Sequence, residues 1–173
     1  QDGILSFKNY QQELKWLTTD PERVEHIGSM INKIAQGGNT LVLVDRIQTG
    51  EMLCKVYPDW VFVSGGTKED ARKAEYTSIS DSDNKVIVAT YGVAAVGINI
   101  PRLFNLVLFE PGKSFVRVIQ SIGRSLRKAS DKDYAQVFDI CSNLKYSKKH
   151  LTKRKQFYRE KKFRFKVTKI DYK

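Results

Sequence analysis

"KVIVATYGVAAVGINIPRLFNLVLF", residues 85–109, holds two short apolar runs, Lys85–Ala89 and Leu106–Phe109, separated by a connection rich in small residues. Neither run alternates apolar with polar residues. A strand with one wet face alternates; a strand covered on both faces reads as a continuous β-branched run. Both runs are therefore expected to be interior strands. Working outward, Thr40–Val44 (TLVLV) and Trp60–Val63 (WVFV) read the same way, and Ala135–Ile140 (AQVFDI) supplies a fifth strand.

Helical patterns fall between these strands. Asp20-Pro21 places a capping carboxylate before a proline at the first helical position. Val24, Ile27, Met30, Ile31 and Ile34 then recur at helical spacing, and Gly37-Gly38 ends the run. Thr49–Tyr57, Lys68–Ile79 and Ser114–Arg127 are the other expected helices. Strand–helix alternation at this spacing predicts an α/β domain with a mostly parallel sheet and helices on both faces. In such sheets ligands sit beyond the carboxyl ends of the strands.

Beyond Ile140 the pattern changes. Leu144, Leu151 and Tyr158 recur every seventh residue, with Phe157 nearby, which suits a helix lying across a surface. Phe163, Phe165 and Val167 alternate with Arg164 and Lys166, which predicts a short edge strand. The expected organisation is a connecting segment over 1–19, an α/β domain over 20–142 and a basic extension over 143–173.

The charge follows the same division. Residues 145–173 carry 13 Lys/Arg and two acids, Glu160 and Asp171, whereas residues 1–144 carry 17 of each sign. The net +11 therefore resides in the extension. That asymmetry points to a polyanion, nucleic acid before an acidic membrane surface, with a merely solvated helix face as the plain alternative. No apolar run approaches the ~18 residues of a membrane span. Cys54 and Cys141 are the only cysteines and form no C-x-x-C pair, so a reducing, cytoplasmic setting is expected and a disulfide framework is not. A chain that starts at Gln1 is expected to be a fragment or a processed product.

Three motifs carry chemistry. "EPGKS" (Glu110–Ser114) ends like a phosphate-binding loop, but the full pattern needs a glycine where Val107 stands, inside a strand. Its expected role is structural: Pro111-Gly112 turns the chain and Ser114 caps the next helix. "VIVATYGVAAVGINIP" (Val86–Pro101) puts Thr90, Tyr91 and Gly92 at a strand's carboxyl end, where a hydroxyl and backbone N–H groups suit a phosphate; an ordinary connection remains open as the other reading. "QSIGRSLR" (Gln120–Arg127) sets Arg124 and Arg127 three apart, on one helix face. Two guanidinium forks side by side suit a shared phosphate, or a solvated face.

In their order, these stretches resemble the second RecA-like motor domain of superfamily 2 helicases and translocases over roughly residues 20–140. Gln120-x-x-Gly123-Arg124-x-x-Arg127 is similar to motif VI, and Ala89-Thr90 through Gly97-Ile98-Asn99-Ile100-Pro101 to motif V. "TLVLVDR" (Thr40–Arg46) resembles motif IV, and "VSGG" (Val63–Gly66) motif IVa. Within the superfamily, "YGVAAVGINIP" and "KSFVRVIQSIGRSLRK" are most similar to phage UvsW-type recombination helicases. Asn99 departs from the aspartate many members carry, and an extra residue between Thr90 and Gly97 argues against the DEAD-box branch.

The resemblance implies roles for named residues. Arg124 and Arg127 would reach the γ-phosphate of ATP, with Gln120, Gly123, Gly97 and Asn99 near the nucleotide. Arg46, Ser64, Gly65, Thr90, Tyr91 and Gly92 would meet a nucleic-acid backbone. Outside the resemblance, the charge of the extension points to Lys148, Lys149, Lys153 and Arg154 as further, sequence-independent phosphate contacts. ATP and Mg²⁺ would be held mainly by a first RecA-like domain absent from this chain, and no metal ligands are expected here. The expected partners are DNA, with RNA possible, and that first domain, in the cytoplasm of a bacterial or phage-infected cell. Two rivals stay open: a nucleic-acid-binding module on the same scaffold without ATP turnover, and a self-sufficient enzyme built on "EPGKS".

Overall fold

The computed structural model describes residues 6–66, 68–78, 84–95, 100, 103–112, 115–120, 136–161 and 165–170. In chain order its elements are α1 (Tyr10–Thr19), α2 (Pro21–Ala35), β1 (Thr40–Val44), α3 (Ile47–Val56), β2 (Val61–Val63), α4 (Glu69–Ser78), β3 (Val86–Thr90), α5 (Tyr91–Ala95), β4 (Asn105–Phe109), helical residues 115–120 (α6), β5 (Gln136–Ile140) and α7 (Lys145–Glu160). The five strands form one parallel sheet in the order β2-β3-β1-β4-β5.

The unbroken apolar runs are explained by two cores. Leu41, Leu43, Ile87, Ala89, Leu106 and Leu108 point to one face, against Val93 and Ala94 of α5 and Val118 of α6. Val42, Val44, Val86, Val88, Val107 and Phe109 point to the other, against Val24, Ile27 and Ile31 of α2 and Leu53 of α3. Successive residues of β1, β3 and β4 thus serve opposite faces, as a pleated strand requires. Burying one such side chain contributes roughly 1.5–3 kcal/mol.

Local chemistry sets the helix ends. The Asp20 carboxylate accepts from the Arg23 N–H, with Pro21 opening α2, as the sequence predicts. α3 starts two residues before the expected Thr49. That hydroxyl is not a cap; it donates to the Thr18 carbonyl at 2.6 Å and ties α3 to the end of α1. Gly50 is needed inside α3 because a Cβ there would collide with the Phe62 ring.

The expected edge strand fails over its described part. Residues 165–170 adopt no strand, and Phe165, Val167 and Ile170 are exposed. Within the expected connecting segment, residues 10–19 form a helix: Asn9 caps it by accepting from the Gln12 N–H, and Leu14 and Leu17 are buried.

Candidate nucleic-acid and nucleotide interface

Because all five strands are parallel, their carboxyl ends share one edge of the sheet. Register aligns three expected site residues there. Val44 pairs with Thr90 and Val63 with Ala89, so Arg46, Ser64 and Thr90 cap the ends of the adjacent strands β1, β2 and β3. Their spacing in sequence, 18 and 26 residues, collapses into one edge because β3 lies between β2 and β1.

Among the described residues this half of the edge is open. Gly65 has nothing within 4 Å of where a Cβ would stand, and Gly92 has only the Thr90 hydroxyl at 3.9 Å. Thr90 is half-buried, and its oxygen accepts from the Val93 N–H at 3.3 Å, which leaves its proton to donate to a ligand. Arg46 is a third exposed. Its Nε is buried with no hydrogen-bond partner among the described residues, and the Asp45 carboxylate lies 4.0 Å away. A guanidinium, a hydroxyl and exposed glycines along one edge of the sheet suit a phosphate oxygen.

The other half of the edge, beyond β4 and β5, is filled by the protein itself. Glu110 follows β4 with φ of 46° and is buried. Its carboxylate accepts from Arg23 at 2.7 Å and from the Ser147 hydroxyl at 2.9 Å. Arg23 also donates to the Leu17 carbonyl. Burial raises the Glu110 pKa, while Arg23, Ser147 and Arg154 oppose that rise. Cys141 follows β5, and burial pushes its thiol up to about 12, so it is no nucleophile near neutral pH.

Two residues expected to contact nucleic acid lie in the interior. Arg154 does not face outward; it is 1% exposed. Nε and Nη2 grip the two Asp139 oxygens at 2.6 and 2.9 Å, and Nη1 donates to the Pro111 carbonyl at 2.8 Å. Tyr158 donates to the same Asp139 at 2.7 Å. A guanidinium whose fork already grips a carboxylate in the interior has none left for a phosphodiester. Tyr91 is buried as well, and its hydroxyl donates to the Phe109 carbonyl at 3.0 Å, joining the ends of β3 and β4. Burial raises its pKa well above the ordinary value.

Lys148, Lys149 and Lys153 are exposed on α7. Gln120 is exposed at the end of the described part of α6. Gly97, Asn99, Gly123, Arg124 and Arg127 lie outside the described residues. "EPGKS" does not form a phosphate loop over its described part. Val107 is buried in β4, paired with Val42 and Phe138, and Glu110 turns inward.

Sequence reasoning missed the residues that seat α7. Glu13 of α1 is buried and accepts from the Tyr146 and Ser147 N–H groups at 3.1 and 2.7 Å, so it caps α7 from another helix. The only available signal was negative: Leu144, before α7, offers no capping side chain.

Comparison with known proteins agrees with this architecture. Residues 22–129, more than half of the chain, match the family described as helicase conserved C-terminal domain. The ATP-dependent DNA helicase uvsW of Enterobacteria phage T4 is 30% identical over 93% of this chain, and its crystal structure superposes with a TM-score of 0.74. Putative helicase 22 of a Sulfolobus islandicus filamentous virus is 30% identical over 79% of this chain. The chain spans 36% and 25% of the lengths of those two relatives. Domain 2 of the DEAD-box helicase Mss116p, 18% identical with a TM-score of 0.53 over 73% of this chain and 52% of that one, shares the fold. With its parallel sheet, its layered cores and these matches, the chain belongs to the helicase conserved C-terminal domain family, as a C-terminal RecA-like domain of a superfamily 2 helicase related to UvsW.

Proposed function

We propose that this chain is the C-terminal motor half of an ATP-dependent, nucleic-acid-stimulated helicase or translocase that remodels duplex or branched DNA. The observation that carries the reading is the open half-edge, where Arg46, Ser64 and Thr90 stand side by side at the ends of β1, β2 and β3. That row offers guanidinium, hydroxyl and backbone donors to the phosphates of one strand. The exposed lysines of α7 add affinity that does not depend on sequence.

ATP with Mg²⁺ would be bound mainly by a first RecA-like domain, since the described part of "EPGKS", residues 110–112, is a bend and irregular chain after β4 with Glu110 turned inward. From this side, Arg124 and Arg127 would meet the γ-phosphate, with Gln120, Gly123, Gly97 and Asn99 beside the nucleotide. Arginines supplied across such a cleft offset charge in the transition state, an effect of roughly 10³–10⁵ in rate.

The test uses the full-length protein. Arg124→Ala and Arg127→Ala are each expected to lower kcat for ATP at least about 100-fold, toward the arginine-finger range. DNA affinity without nucleotide should stay within a few-fold. Alanines at Lys148, Lys149 and Lys153 should do the reverse. If the arginine variants lose DNA affinity and keep kcat, the arginines are phosphodiester contacts and not fingers; a full-length protein with no DNA-stimulated ATP hydrolysis at all would favour the binding module without ATP turnover.

A further inference from the structure

α7 presents two different surfaces. Ser147 and Arg154 face the body, whereas Lys145, Lys148, Lys149, Lys153 and Arg159 face solvent, with Glu160 the helix's one acid. Along its flank run two adjoining cavities. The larger, about 480 Å³, is lined by Tyr10, Tyr146, Lys149, His150, Thr152 and Lys153. The smaller, about 280 Å³, adds Phe115 and Phe157 and shares His150 and Lys153 with the first. The result is one groove with aromatic walls and lysines on its rim.

Its walls are held in place before any ligand arrives. Tyr10 stacks on His150, ring centroids 4.4 Å apart, and lies 6.4 Å from Tyr146. Tyr146 donates to the Lys8 carbonyl, and Glu13 holds the backbone beneath it. Phe115 meets Phe157 edge-on at 5.2 Å. A single strand of nucleic acid presents the matching chemistry, flat bases on an anionic thread. Aromatic platforms interleaved with cations are how proteins hold unpaired strands without regard to sequence. A duplex hides its bases and could use only the lysines.

We propose that the groove between α1 and α7 binds an unpaired nucleic-acid strand, with bases against Tyr10, Tyr146 and His150 and phosphates on Lys149 and Lys153. This deepens the proposed function and rests on it for the presence of nucleic acid. It goes further in placing base contacts outside the carboxyl edge of the sheet and making them selective for single strands.

The experiment uses the full-length protein and three probes of equal length: oligo-dT, an abasic oligomer and a blunt duplex. Each stacked base is worth about five- to 150-fold in affinity. Tyr10→Leu and His150→Leu together should cut oligo-dT binding at least about fivefold and leave abasic and duplex binding unchanged. Lys149→Gln with Lys153→Gln should weaken all three and reduce the salt slope. Photocrosslinking 5-iodouracil oligomers to the unaltered protein should label peptides containing Tyr10, Tyr146 or His150, which guards against a variant that folds poorly. Crosslinks confined to other peptides, or a dT-to-abasic ratio that the ring variants leave intact, would overturn the groove. Neither result touches the motor reading, which stands or falls on the kcat of Arg124→Ala and Arg127→Ala.

Discussion

Arg154 shows how position decides what a residue does. In sequence it is one of thirteen cations in the last 29 residues, beside Lys153 and Lys155. In the fold it is the innermost group of α7, because residue 154 lies seven positions after Ser147 on the same helix face. Its fork matches Asp139 and reaches the Pro111 carbonyl too. Arg154→Met should therefore lower stability by about 3–5 kcal/mol, the usual result of stranding one partner of a buried ion pair. Arg154→Lys should not restore it, since a point charge cannot bridge both Asp139 oxygens. Denaturant midpoints check both. DNA affinity of the folded fraction should hold, unlike that of Lys149→Gln with Lys153→Gln.

Glu110 adds a pH dependence. Burial raises its carboxyl pKa in the folded state, and Arg23 is the strongest opposing influence. A group with a raised folded pKa contributes stability below its unfolded pKa and loses that contribution as pH rises through the folded value. Arg23→Met removes the opposing charge, so the folded pKa climbs further. The variant should be less stable than the parent by about 3–5 kcal/mol at pH 8. Acidification should narrow that gap as Glu110 takes up a proton. Urea midpoints from pH 5 to pH 8 measure it. A gap that does not change with pH would assign the loss to packing alone.

At the scale of elements, α1 and α7 depend on each other. α7 begins at Lys145 with no cap of its own, and its first N–H groups are satisfied by Glu13. Glu13→Ala should leave one buried and one part-buried donor unpaired, at about 1–3 kcal/mol for the buried one and less for the other. Hydrogen exchange should accelerate at the Tyr146 and Ser147 amides before it does in β1 or β3. Uniform acceleration across the sheet would mean that α1 supports the whole fold instead of the α7 cap. Deleting α7 to test its charge would be misleading, because the deletion also removes Arg154 and Ser147 from the carboxyl edge. Substituting the exposed lysines separates charge from scaffold.

For the whole molecule, the sheet edge divides into an open half over β1, β2 and β3 and a half plugged by α1, α2 and α7. The open half is suited to ligands delivered from outside, which fits a domain that completes a cleft with another. This chain purified alone is expected to release no phosphate from ATP above background. Steady release that survives further purification and disappears on Lys113→Ala would restore the phosphate-loop reading of "EPGKS". Its binding to duplex DNA should be salt-dependent, with the log–log slope falling by about 0.9 for each lysine contact removed.

The strands, α2 and the parallel α/β class were legible in sequence because they rest on local signals: β-branched runs, an Asp-Pro start, a Gly-Gly stop. The shared edge was legible for a related reason. Arg46 and Ser64 follow strands and Thr90 ends one, and a parallel sheet brings all carboxyl ends to one edge. What only the tertiary structure decided is the polar seating of α1 and α7. Glu13, Arg23, Glu110, Ser147 and Arg154 are buried, and Asp139 half-buried, through partners as many as 134 residues away. Apolar burial leaves a periodic trace in the chain. A buried charge leaves none, because it is stabilised by one matched partner whose place in the sequence no local pattern specifies.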